Sequence, residues 1–150
     1  MSKDIWVIGV AAACPRCDLL GQRVEKLAKE ILPSPCVKKM LNTDAQAIEC
    51  AAALGKKITT VKEIAASSRI KIDWKHFTSV AHQPPTPPED IDSLEGPARQ
   101  WSPELDEALR PYQEYAESTG VLLTPVLVVG GDVKHHGSVP SIHQIRSWLF

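Results

Sequence analysis

The chain has 150 residues, with 17 lysines and arginines against 18 aspartates and glutamates, for a net charge of −1. That length suits a single domain, 1–150, able to bury roughly two thirds of its unfolded surface without metal or disulfide staples, and the near-neutral balance offers no field for a phosphate backbone or an anionic membrane, so neither is an expected partner. Four cysteines, only two of them close together, are too sparse for a stapled secreted scaffold and point to a cytoplasmic thiol protein.

Ile5 to Val10 is a short, nearly continuous apolar run, the pattern of a strand buried on both faces. With MSKD before it, Ala11–Ala13 extending it to nine residues and Cys14 after it, the run loosely has the form of a leader ending in an acylated cysteine. Nine residues is near the bottom of the signal range, and Asp4 stands where a basic leader belongs, so acylation is not expected. No other stretch approaches the roughly 20 apolar residues of a membrane span. The strand ends in Cys14-Pro-Arg-Cys17, and Leu20, Val24, Leu27 and Ile31 then form one stripe of a helix that Pro33 and Pro35 terminate. Cys14 is therefore predicted at a helix start. A second strand is predicted at Cys36–Leu41, and Thr43 then caps a helix through Leu54, with Asp44 in its first turn and Gly55 at its end.

Residues 56–102 break the rhythm. Thr60 and Glu63 have capping-box spacing for a short helix, Arg69 to Trp74 alternates like a brief exposed strand, and the proline-rich, acidic Gln83–Pro97 reads as a loop. Trp74 and Trp101 either anchor this segment or, where exposed, mark a partner site. Order returns at Ser102-Pro103, a cap followed by proline at the first helical position, with Leu105, Leu109, Tyr112 and Ala116 as the inner stripe. Pro111 is expected to kink this helix and Gly120 to close it. Val121–Val129, interrupted by Thr124-Pro125, leads through Gly130-Gly131-Asp132 into a hairpin, and Ser141 caps a last helix.

The cysteine pair carries the chemistry. A cysteine at a helix amino terminus gains thiolate character from free amides and the macrodipole, Arg16 adds a nearby cation, and Cys17, a turn later on the same side, can attack a mixed disulfide formed on Cys14. Ala11 to Ala13 read as an uncluttered, approachable turn. The same two thiolates can instead hold a soft metal or metalloid, and this is the alternative function, although no second CxxC or close histidine pair completes a four-ligand set. Cys36 and Cys50 read as buried inert thiols, and His135 and His136, as neighbours on a strand, point to opposite faces and read as solvated surface.

Three passages, IWVIGVAAACPRCDLLGQRVEKL, LLTPVLVVGGDVKHHGSVPS and IHQIRSWLF, together resemble the thioredoxin superfamily and most closely its small glutaredoxin-like branch of redox-active disulfide proteins. The resemblance covers about half the chain. It implies an α/β thioredoxin-like fold with a central mixed four-stranded sheet flanked by helices, 56–102 being an insertion ahead of the strand that follows the cis proline. It also implies a thiol-disulfide oxidoreductase with Cys14 as nucleophile and Cys17 as resolving thiol. Thr124-Pro125 would be a cis peptide facing the cysteines, with the Thr124 backbone free to pair with a substrate strand. Pro15, Arg16, Thr124 and Pro125 are then the residues expected to meet the substrate. No metal or other cofactor is expected, and the partners would be a protein or small-molecule disulfide and an electron donor. Because flanking elements would already complete the fold, the insertion is expected to be removable between Gly55 and Ser102.

Overall fold

The computed structural model describes residues 4–11 and 14–150. The reading of Ala11–Ala13 as an approachable turn falls largely on Ala12 and Ala13, which lie outside the described residues, as do the first three residues of the leader-like opening.

A four-stranded mixed sheet in the order β2-β1-β5-β6 organises the chain. Strand β1 (Asp4–Gly9) lies parallel to β2 (Cys36–Leu41) and antiparallel to β5 (Val126–Val129), which turns through Gly130-Gly131 into β6 (Asp132–His136). Both faces of β1 and β5 are covered, which is why these strands read as unbroken apolar runs. Ile5, Val7, Leu127 and Val129 face α1 (Pro15–Ile31) and α7 (Ile142–Leu149), packing on Leu20, Val24, Leu27, Ile145 and Leu149. Ile8, Val126 and Val128 face the other way, onto Met40 of β2, Leu122, and Ala47 and Ala51 of α2 (Ala45–Ala53). Two to three kcal/mol per fully buried branched side chain is the approximate scale of what these layers contribute.

A second, two-stranded sheet pairs β3 (Ile58–Thr59) in parallel with β4 (Leu122–Leu123). It ties the start of the 56–102 segment to the chain just before Pro125. Between them lie α3 (Val61–Ser67), α4 (Trp74–His82), 3-10 turns at Ile91–Ser93 and Gly96–Gln100, α5 (Pro103–Ala108) and α6 (Arg110–Thr119).

Four local expectations change. The cap of α2 is Asp44, not Thr43, and the Asp44 carboxylate accepts from the Leu41 amide at 2.9 Å, bracing the turn out of β2. Arg69–Trp74 joins neither sheet: Asp73 caps α4 by accepting from the His76 amide, so Trp74 is already helical, while Ile70 and Ile72 alternate inward onto a helical cluster. Gln83–Pro97 is not loop throughout, because Ile91–Ser93 and the start of Gly96–Gln100 wind into 3-10 turns. The helix predicted from Pro103 to Thr119 is two helices meeting at Leu109, with Pro111 in the first turn of α6, where its missing N–H costs nothing. Gly120 ends α6 in the left-handed region at φ 71°, as its position after the apolar stripe requires.

Candidate active site

The carboxyl end of β1, the first turn of α1 and the residues ahead of β5 meet at one end of the two central strands. Ile8 is paired with Val126, so Pro125, one residue earlier, lies at the end of β1 from which the Cys14 segment departs. The Thr124–Pro125 peptide bond is cis. Cys14 is the N-cap of α1, and Pro15 begins the helix, where no donor is needed. The Cys17 amide donates to the Cys14 sulfur at 3.2 Å, and the Asp18 amide to the Cys14 carbonyl at 2.9 Å. All four cysteines are free, and the Cys14 and Cys17 sulfurs are 2.9 Å apart, within hydrogen-bond reach.

This geometry splits two chemically identical thiols. The hydrogen bond from Cys17 is the main influence on Cys14 and outweighs the opposing cost of burial. With the Cys17 amide, the Arg16 charge and the Arg16 amide added, the Cys14 pKa is lowered to about 7. Cys17 moves the other way: donating to the Cys14 sulfur, being buried and facing its negative charge all hold its proton on, against the Val10 amide and Arg16. At neutral pH the pair carries about half a negative charge, centred on Cys14. Cys17 also lines a pocket of about 250 Å³ with Gly9, Val10, Asp18, Lys39 and Leu41. A methyl group on Gly9 would stand 3.0 Å from Cys17 Cβ and 3.2 Å from its sulfur, so the first turn of α1 can approach β1 closely only over glycine. Sequence reasoning passed over Gly9, although a glycine closing an apolar strand is a signal of close backbone approach.

Arg16 is placed differently from the expectation that it meets a substrate. It is 5% exposed and turned into the protein, where its Nε donates to Asp106 Oδ1 of α5 at 2.7 Å. Its charge still reaches Cys14, as anticipated. Asp106 was not singled out in the sequence. Its second oxygen accepts from Trp101 Nε1 at 3.1 Å and from the Val139 amide at 2.8 Å, so one carboxylate joins the CPRC turn, the 56–102 segment and the loop after β6. A second clamp lies two turns along α1. Arg23 forms a paired contact with Asp90 at 2.9 and 3.1 Å, donates to the Pro140 carbonyl, and lies over the Trp101 ring at 5.5 Å.

Thr124 is buried, and its amide is already used, donating to the Thr59 carbonyl of β3 at 3.0 Å. A partner strand therefore does not find that N–H free. His135 and His136 are half-buried rather than solvated: His136 Nδ1 accepts from the Leu123 amide at 3.1 Å, and His135 bonds Ser138 and stacks on Trp148. Burial lowers both imidazole pKa values. Cys36 is exposed rather than buried, because it opens the edge strand β2. It pairs with Asp4 at the opposite end of β1 from Gly9, some 17 Å away at about 3.3 Å per residue, so it does not join the CPRC pair. Cys50 is half-buried on α2. Among the described residues no three histidine, cysteine or acidic side chains gather as a metal site, and no helix is long and apolar enough to cross a membrane.

Residues 99–150, about a third of the chain, match the family model for a thioredoxin domain. The match covers the cis proline, the β5-β6 hairpin and α7 but stops short of the cysteines. No curated protein and no solved structure matches the chain. The matched third of the chain and the β2-β1-β5-β6 mixed sheet, with α1 and α7 packed on one face, give the chain a thioredoxin-like fold.

Proposed function

We propose that this protein is a thiol-disulfide oxidoreductase of the small glutaredoxin-like kind, acting in a reducing compartment such as the cytoplasm. The observation that carries the reading is the arrangement of the two sulfurs. Cys14 caps a helix and is held near half ionisation at pH 7, while Cys17, 2.9 Å away, keeps its proton. The Cys14 thiolate attacks one sulfur of a substrate disulfide and expels the other as a thiolate, which takes a proton from water. Once Cys14 is in a mixed disulfide it no longer bears the negative charge that held the Cys17 proton on. Cys17 then deprotonates, attacks the Cys14 sulfur and releases the second substrate thiolate. Two electrons pass to the substrate and leave a Cys14–Cys17 disulfide, which a dithiol donor reduces. We assign Pro15, Thr124 and Pro125 to the substrate side of the pair because Pro15 opens α1 next to Cys14 and the cis Thr124–Pro125 bond precedes β5 at the same end of β1.

The alternative, soft metal or metalloid handling by the same two thiolates, makes a different prediction in one preparation. Protein purified without oxygen and mixed with an aromatic disulfide is expected to lose two thiols reversibly as one intramolecular disulfide. Cys17→Ser should stop at a mixed disulfide through Cys14, and Cys14→Ser should trap nothing. Stoichiometric bound metal together with failure to trap would replace the oxidoreductase reading with the metal one.

A further inference from the structure

The sequence of Arg69 to Asp73 alternates like a strand, yet the structure gives it no strand partner. Both ends of the stretch are extended, at Ser68 (φ −102°, ψ 162°) and Asp73 (φ −76°, ψ 91°). Ile70 and Ile72 turn in against the cluster around Tyr112, whereas Arg69 and Lys71 stand out in solvent. The stretch forms one wall of an open groove of about 380 Å³. Trp74 forms another wall, and Tyr112, itself buried, closes the base. Trp74 is 46% exposed, held edge-on to Phe77 at 5.4 Å and tilted over Tyr112 at 6.2 Å. The two charged side chains lining the groove are Arg69 and Lys71, and no carboxylate lines it. Neither cation takes part in a salt bridge among the described residues.

An apolar, aromatic floor beneath cations that join no salt bridge, beside a non-sheet stretch that alternates inward and outward between extended flanks, is a surface with a defined complement, although the Ile70 amide already donates weakly to Ser68 Oγ at 3.4 Å. We infer that this groove docks an extended acidic peptide segment of a partner protein. The segment lays its backbone along 69–72 as an added strand and sets an apolar side chain against Trp74, with its carboxylates on Arg69 and Lys71. Alternation supplies the geometry: in an extended ligand, one face meets the aromatic floor while the other presents charge at every second residue. The groove's lining shares no residue with the Cys17 pocket, so the inference stands whether or not the chain exchanges disulfides.

The test uses the full chain and a pool of dye-labelled octapeptides with Asp or Glu alternating with Val, Ile or Leu, against a matched pool with Lys at the acidic positions. Fluorescence anisotropy is expected to show the acidic pool binding at least tenfold more tightly, with affinity falling as salt rises. The double variant Arg69→Glu/Lys71→Glu, which alters only exposed side chains, should lose that preference while keeping the wild-type circular dichroism spectrum. On binding, hydrogen exchange should slow at the amides of 69–72. No preference between the pools, or preference unchanged in the double variant, would overturn the inference. So would binding without protection at 69–72, or concentration-dependent self-association through Trp74, which would assign the groove to a second copy of the chain.

Discussion

The two halves of the 56–102 segment and the helix that follows it differ in charge, in packing and in what they face. Residues 56–82 carry six lysines and arginines against two carboxylates, whereas 83–108 carry seven carboxylates against one arginine. The acidic half is bolted down. Asp90 and Asp106 meet Arg23 and Arg16 of α1, and Leu94, Ala98, Trp101 and Leu105 pack on Leu19. The basic half lies under β4 and α6 through Ile64, and it leaves Arg69, Lys71 and Trp74 facing water. One half therefore builds the wall behind the dithiol, and the other presents a surface. Nearly neutral net charge conceals this, because the two halves cancel.

The largest way to break the comparison is to delete the segment. The sequence predicts that joining Gly55 to Ser102 leaves a folded domain. The packing predicts otherwise, because the cut uncovers Leu19 and Tyr112 and removes Asp90 from a buried Arg23. An uncompensated buried charge alone costs about 3–5 kcal/mol, a large share of a small domain's stability. The deleted chain is expected to melt without a cooperative transition. A sharp melt near the wild-type temperature would return the segment to the status of a decoration.

Asp106 is the next test, because it concentrates in one side chain what the acidic half does. Asp106→Ala leaves Arg16 buried without a partner and removes the acceptor for Trp101 and Val139, so a loss of about 3–5 kcal/mol is expected in urea melts. Asp106→Asn keeps a carbonyl oxygen for one of these donors and should lose less. Equal losses in the two variants would show that the carboxylate's charge is what matters and not its place as a junction. Neither residue was legible in the sequence as a pair, since Arg16 and Asp106 are 90 positions apart and only the folded chain brings them together.

What the sequence does disclose follows from local rules. Strands β1 and β5 announce themselves because both faces are buried, α1 because its stripe repeats every three to four residues, and the caps at Thr60, Ser102 and Ser141 because a side-chain oxygen three residues ahead of an amide is a local arrangement. Cys14 and Cys17 are legible for the same reason, being one helical turn apart. Long-range contacts are not, and so the buried position of Arg16, the engaged amide of Thr124 and the bonds of His135 and His136 went unforeseen. Arg69–Trp74 fails in a more instructive way. Its alternation reports a real inward and outward face, but a strand also needs a neighbour, and periodicity carries no information about one.

Reactivity follows first from the hydrogen bond that Cys17 donates to Cys14, and to a lesser degree from the Arg16 charge that Asp106 of the acidic half holds nearby. Because the Cys14 pKa is lowered to about 7, its alkylation rate should rise with pH through a midpoint near 7 and level off above 8, falling about tenfold per unit below 6 as the thiolate takes up its proton. Cys17, whose proton is held on, should remain unlabelled over the same range until the protein is unfolded or Cys14 is blocked. A Cys14 midpoint near 8.5, the value of an ordinary thiol, would mean that the helix terminus and Cys17 do not act on it as argued.

The two tryptophans give the smallest and most direct contrast. Trp101, 8% exposed, fills the space between α1 and α5, donates to Asp106 and lies under Arg23, so Trp101→Ala removes a buried ring and an anchoring donor together. Core replacements of that size cost about 3–5 kcal/mol. Trp74 has nearly half its surface in water and holds its place through an edge contact with Phe77 and a tilted one with Tyr112. Losing two aromatic pairs and a half-buried ring amounts to about 2–3 kcal/mol. Urea melts of the two alanine variants should therefore separate by about 1 kcal/mol, with Trp101→Ala the weaker fold. If Trp74→Ala proved as damaging, Trp74 would be holding the molecule together, and its exposure would not mark a surface kept open for a partner.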